Sequence, residues 1–248
     1  MATNIASYGL LYVGLFVEAA LVLYLVRSTQ WKKQGGVAFY VTTLLVAESA
    51  RTYVLEAYGY ASRQYRYVYW STDFLLVICA YVVVCLLFRR ACSHENKMWR
   101  FVRLLLGFTF LVVLGVSGVA FLRNCRNSFP HFQVEFSQNL YFTCLVLNTL
   151  LYLLLQQIES TDDQLGLLVC GVGIQFAGPA ATFALLHLTT GDGLAKSLAF
   201  FVIPTCNVAM LLVWAYAIVH VKDKATKVAR REIPVLAEVT ADLNVQIR

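Results

Sequence analysis

Seven uninterrupted apolar runs dominate this 248-residue chain, near residues 5–26, 36–58, 66–88, 100–122, 137–156, 164–188 and 197–220. A run of about 18 or more apolar residues is long enough for a helix to cross the hydrocarbon core of a bilayer. Within lipid, every backbone N–H and C=O must be satisfied inside the protein, which leaves helices as the structure for such runs. The expected fold is therefore an all-α polytopic membrane bundle of seven transmembrane helices. Composition agrees, since 59% of residues are apolar, 14% are charged and the mean hydropathy is +0.66. The runs and their short connections use residues 1–220, and residues 221–248 read as a basic cytoplasmic tail. Little chain is left for a soluble catalytic domain.

The first run does not read as a signal peptide. It lacks a basic leading region, contains Glu18, and has no small-residue cleavage site before Arg27. Lys and Arg in the connections set the expected orientation. Arg27, Lys32, Lys33, Arg89, Arg90, Lys97, Arg100, Arg103 and the tail cations fall on one side, whereas Arg63, Arg66, Arg123, Arg126 and Lys196 fall on the other. The richer side is expected to be cytoplasmic, which puts the N-terminus outside and the C-terminus inside, in a cell membrane of bacterial inner-membrane type. The net charge of +6 is then mostly this asymmetry and calls for no nucleic acid. The lipid bilayer is the expected partner, together with a small-molecule ligand or a membrane or cytoplasmic protein.

Ionisable groups inside the runs carry the functional expectation, because a charge at mid-bilayer costs ~2.5–3.5 kcal/mol on insertion scales and normally faces the bundle interior. They are Glu18 in the first run, Glu48 and Arg51 in the second, and Asp73 in the third. Arg51 and Asp73 each lie about seven residues from the outer ends of their runs, ~10 Å deep at 1.5 Å per residue, so they can pair. Glu48 and Arg51 share a helix face at i, i+3. Neutral polar residues recur at similar depths, with Asn148 in the fifth run, Gln175 in the sixth and Asn207 in the seventh. Together with Glu18, Glu48, Arg51 and Asp73 they suggest an inward-facing polar seam that binds a ligand or accepts a proton. Interhelical clamping and hydrogen bonding explain the same residues without a ligand. Tyr65, Arg66, Tyr69 and Trp70, at the outer approach to the third run, form an aromatic stretch suited to an interfacial belt or a vestibule. Gly171, Gly173, Gly178, Pro179 and Pro204 make the sixth and seventh runs candidates for kinks or for close packing.

The stretch from Glu48 to Phe74, with Arg51, Tyr53, Tyr65, Tyr67, Tyr69, Trp70 and Asp73, resembles uncharacterised seven-span bacterial integral membrane proteins. That resemblance implies the helix count and no activity. Arg66, Tyr67 and Trp70, with Asp192 and Lys196, also resemble two signatures of microbial rhodopsins, which would imply a retinal Schiff base on Lys196. Placement argues against it. Lys196 follows Thr189, Thr190, Gly191, Asp192 and Gly193, an outer turn, and Tyr69 stands where those proteins carry a carboxylate.

No cofactor is expected. His94 and His220 read as cytoplasmic and His131 and His187 as outside, so no pair meets in the bilayer as haem ligands, and no metal-type Cys/His spacing occurs. Nucleophile-elbow, HExxH and phosphate-loop signatures are absent, so the chain does not read as an enzyme. The leading expectation is a membrane binding protein, a receptor-like sensor or auxiliary subunit, with a polar inter-helix site near the outer half of the bilayer. The alternatives are a small proton- or ion-coupled transporter and a purely structural subunit of a membrane complex.

Overall fold

The computed structural model describes residues 2–28, 34–93, 96–123, 128–158, 162–188 and 201–220. Among these the protein is all-α, with seven helices and no strand. They are α1 (Ala2–Arg27), α2 (Gly35–Tyr58), α3 (Arg63–Ala91), α4 (Asn96–Arg123), α5 (Ser128–Gln157) and α6 (Asp163–Leu188), followed by α7 (Phe201–His220). The tail 221–248, Lys196 and Asp192 lie outside the described residues.

Five helices, α3 to α7, contain a stretch long and apolar enough to cross a membrane. The other two, α1 and α2, are those that carry Glu18 and the set Glu48, Arg51 and Glu56. Large apolar side chains face outward all round the bundle, among them Phe16 (75% exposed), Leu104 (73%) and Phe101 (68%). Contiguous apolar surface on that scale is rare on proteins bathed in water, and it fits a multi-pass protein in contact with lipid.

Successive packing of α1 on α2, α2 on α3, α3 on α5 and α5 on α6 builds a curved wall, which α7 closes. On one side α7 meets α6, where the Trp214 indole N–H donates to the Leu168 carbonyl at 3.0 Å. On the other it meets α1, where Gly14 faces Val208 and Asn207 faces Glu18. The sixth helix of this ring is thus the seventh in sequence, because α4 stands outside, against α5 and more lightly α3.

Lipid tails are as apolar as Leu, so the helices gain little from the hydrophobic effect when they meet, and close packing through small residues takes over. On α6 that role falls to Gly171 and Gly178. A Cβ on Gly171 would sit 2.6 Å from Cδ1 and Nε1 of Trp214, and one on Gly178 would sit 2.9 Å from Cys206 Sγ. Gly171 and Gly178 therefore serve close packing against α7. The helix continues through Pro179 to Leu188.

The bundle centre is filled. Tyr40 of α2 meets Trp214 edge-on at 5.8 Å between ring centroids and accepts a hydrogen bond from the Gln175 amide. Ala80, Val83, Val172 and Phe176 complete this packing, which leaves no room for a water molecule.

The short α2–α3 turn holds the ion-bearing helices in register. Gly59, at φ +76° and ψ 163°, adopts a conformation open to glycine and strained for other residues, and its N–H closes α2 on the Leu55 carbonyl at 2.9 Å. Ser62 then caps α3, its hydroxyl oxygen accepting from the Tyr65 N–H at 3.0 Å, an interaction typically worth ~1 kcal/mol.

Candidate functional site

Arg51 is the hub of the polar interior. Its Nη1 donates to Glu48 Oε1 at 2.8 Å, along its own helix. Across the interface, Nε donates to the Thr72 hydroxyl at 2.7 Å and Nη2 reaches the Tyr69 carbonyl at 3.4 Å. The Tyr69 ring lies under the guanidinium, 4.6 Å from Cζ to the centroid, a cation–π arrangement. Asp73 Oδ1 is farther, 3.9 Å from Nη2. The three charged side chains retain 11% (Arg51), 22% (Glu48) and 15% (Asp73) of their exposure, so they lie inside the bundle while Glu48 keeps an edge toward the outside.

Asp73 is held chiefly from α5. Tyr141 donates its hydroxyl to Oδ1 at 3.1 Å, and the Ser137 hydroxyl bonds the same carboxylate. Ser137 and Tyr141 are i, i+4 neighbours on one face of α5. One ionic cluster therefore ties three helices, with α2 supplying Glu48 and Arg51, α3 supplying Thr72, Asp73 and Tyr69, and α5 supplying Ser137 and Tyr141. Because a hydrogen-bonded charge network must satisfy all its members to stabilise a fold, its geometry is coupled across all three.

The remaining polar residues do not join this cluster directly. Gln175 bonds Tyr40 at the bundle centre. Asn148, 5% exposed, donates to the Val169 carbonyl at 3.1 Å, and its amide nitrogen occupies the space a Cβ on Gly173 would need. Asn207 faces Glu18 at the α1–α7 contact, with Nδ2 3.5 Å from Glu18 Oε1. The single seam expected from depth alone resolves into an ionic cluster toward the turn at Gly59, a central Tyr40–Gln175 pair, an Asn148 tie between α5 and α6, and the Glu18–Asn207 contact. The reason is rotational: equal depth does not make side chains point at one another.

The aromatic stretch divides as well. Tyr69 belongs to the Arg51 cluster. Tyr65 packs on Tyr69 and on Tyr60, with centroids 6.1 and 5.3 Å apart, and Trp70 meets Tyr69 edge-on at 5.4 Å. Arg66 is exposed. Tyr65, Tyr69 and Trp70 thus form an aromatic shelf beside the ionic cluster, with Arg66 at its outer surface.

A second arginine site lies at the opposite end of α3. Arg90 donates from Nε and Nη2 to Asp162 Oδ2 at 3.1 and 2.8 Å, and from Nη2 to Gln164 Oε1 at 3.0 Å. Asp162 also caps α6 by accepting from the Leu165 N–H at 3.1 Å, while Gln164 donates to the Ala217 carbonyl of α7 at 3.3 Å. Sequence reading took Arg90 only as a topology cation. The Asp162-x-x-Leu165 start of α6 is a capping signal that marks the acid, although nothing local marks its partner.

Among the described residues, no group of three or more His, Cys, Asp or Glu is arranged to hold a metal ion. Compared with protein-family models, curated proteins and solved structures, the chain matches none.

Proposed function

We propose that this chain is an integral membrane binding protein, a receptor-like sensor or auxiliary subunit, whose responsive element is the Glu48–Arg51–Asp73 cluster in the outer half of the bilayer. In this reading the N-terminus is outside, the C-terminus is cytoplasmic, and the membrane is the inner membrane of a bacterium. The supporting observation is the sharing of Asp73, 3.9 Å from Arg51 on one side and hydrogen-bonded by Tyr141 on the other. A ligand that draws on Asp73 or Glu48 changes the charge balance of Arg51, and with it the packing of α2, α3 and α5. A bound species shifts such an equilibrium only through unequal affinity for the two packings, and an ionic hub shared by three helices provides that inequality. The aromatic shelf of Tyr65, Tyr69 and Trp70 gives the ligand an approach.

Thermal-shift screening of the purified chain in lipid nanodiscs tests this. A ligand is expected to raise the melting temperature of the wild type and to lose that effect in Glu48→Gln, with extra density between α2, α3 and α5. Substrate-dependent proton flux in liposomes, lost in Glu48→Gln, would replace binding with transport.

A further inference from the structure

Glu18 is 1% exposed, yet its hydrogen bonding is the poorest of the interior carboxyls. Its contact with Asn207 Nδ2, at 3.5 Å, is longer than the usual N–H···O range. Its other oxygen, Oε2, has no partner among the described residues, and neither does Asn207 Oδ1. Two buried acceptor oxygens, one on each side of the α1–α7 contact, therefore lack a donor, a rare condition in folded proteins.

The surrounding charge does not supply one. The groups of α2 within electrostatic reach of Glu18 are Glu48, Arg51 and Tyr40. Arg51 directs its N–H groups to Glu48, Thr72 and the Tyr69 carbonyl, the Tyr40 hydroxyl oxygen accepts from Gln175, and neither residue is hydrogen-bonded to Glu18 Oε2. Arg51 makes its ion pairs with Glu48 and Asp73, and Glu18 forms none among the described residues.

We propose that Glu18 and Asn207 form a site for one monovalent cation, either a sodium-sized ion or a proton in its place. A carboxylate and an amide oxygen are hard-cation ligands, and among the described residues no group of three or more His, Cys, Asp or Glu is arranged there as for a multivalent metal. The site joins the first helix to the last and is separate from the Arg51 cluster, so it does not rest on the ligand-binding role assigned to that cluster.

The test is thermal melting of the full chain in nanodiscs against sodium chloride, at constant ionic strength set with choline chloride, with an infrared spectrum in each condition. Sodium is expected to raise the melting temperature of the wild type, with the response lost in the near-isosteric Glu18→Gln and moved to higher sodium in Asn207→Leu. If sodium is inert while the wild type carries the carbonyl band of a protonated carboxylic acid that Glu18→Gln lacks, the occupant is the proton. A sodium response retained in Glu18→Gln overturns the proposal, and so does sodium-insensitive melting with no such band.

Discussion

Arginine meets carboxylate near both ends of α3, in settings that differ in water. Arg51 keeps 11% of its side-chain exposure and engages Glu48, Thr72, Tyr69 and Asp73. Arg90 and Asp162 keep 35% and 37%. Where water reaches both partners, the pair is screened and contributes ~0–1 kcal/mol. Where water is excluded, the pair itself adds little net stability, but loss of one member strands the other without a counter-charge, at ~3–5 kcal/mol. The same contact is thus dispensable at one end of a helix and indispensable at the other.

The largest effect is expected from Arg51→Leu, a destabilisation of ~3–5 kcal/mol by chemical or thermal denaturation in micelles. Adding Glu48→Leu should recover more of it than adding Asp73→Leu, because Glu48 is the 2.8 Å partner and Asp73 retains Tyr141. Equal melting of Arg51→Leu and both double variants would remove the pairing from the account. Next comes Gly171→Ala, which drives a methyl group to within 2.6 Å of the Trp214 indole. A loss of ~1–3 kcal/mol with a shifted Trp fluorescence maximum is expected, and unchanged emission would mean that α6 and α7 are less closely seated than described. Tyr141→Phe deletes one hydroxyl from Asp73 and should cost ~0.6–1.7 kcal/mol, the range for interhelical hydrogen bonds in membranes. Arg90→Met is the smallest, within ~1 kcal/mol and shrinking further as salt rises. If Arg90→Met rivals Arg51→Leu, the contrast between the two ends fails.

Apolar runs fix what must be shielded from water, and the α2 run was read to within a residue of its helix. They do not mark where a helix stops. The fifth run was read from residue 137, whereas α5 begins at Ser128, because helical hydrogen bonding continues through polar residues that an apolar count rejects. The Glu48–Arg51–Asp73 grouping was legible from i, i+3 spacing and depth, both properties of position along an axis. Thr72 and Tyr141 were not legible. They are neutral side chains in runs rich in similar residues, and their role depends on how α3 and α5 are rotated about their axes. Asn148 was singled out for its depth, yet it meets the α6 backbone beside Gly173, a pairing set by a glycine 25 positions away.

The meeting of Glu18 with Asn207 spans 189 positions of the chain. At ~5–20 residues per second, a ribosome needs on the order of 10–40 s to make that interval. Throughout it, the opening segment of the nascent polypeptide carries an acid whose partner has not yet been synthesised. The leading segment is therefore made and held with its acid unmatched until the closing one arrives.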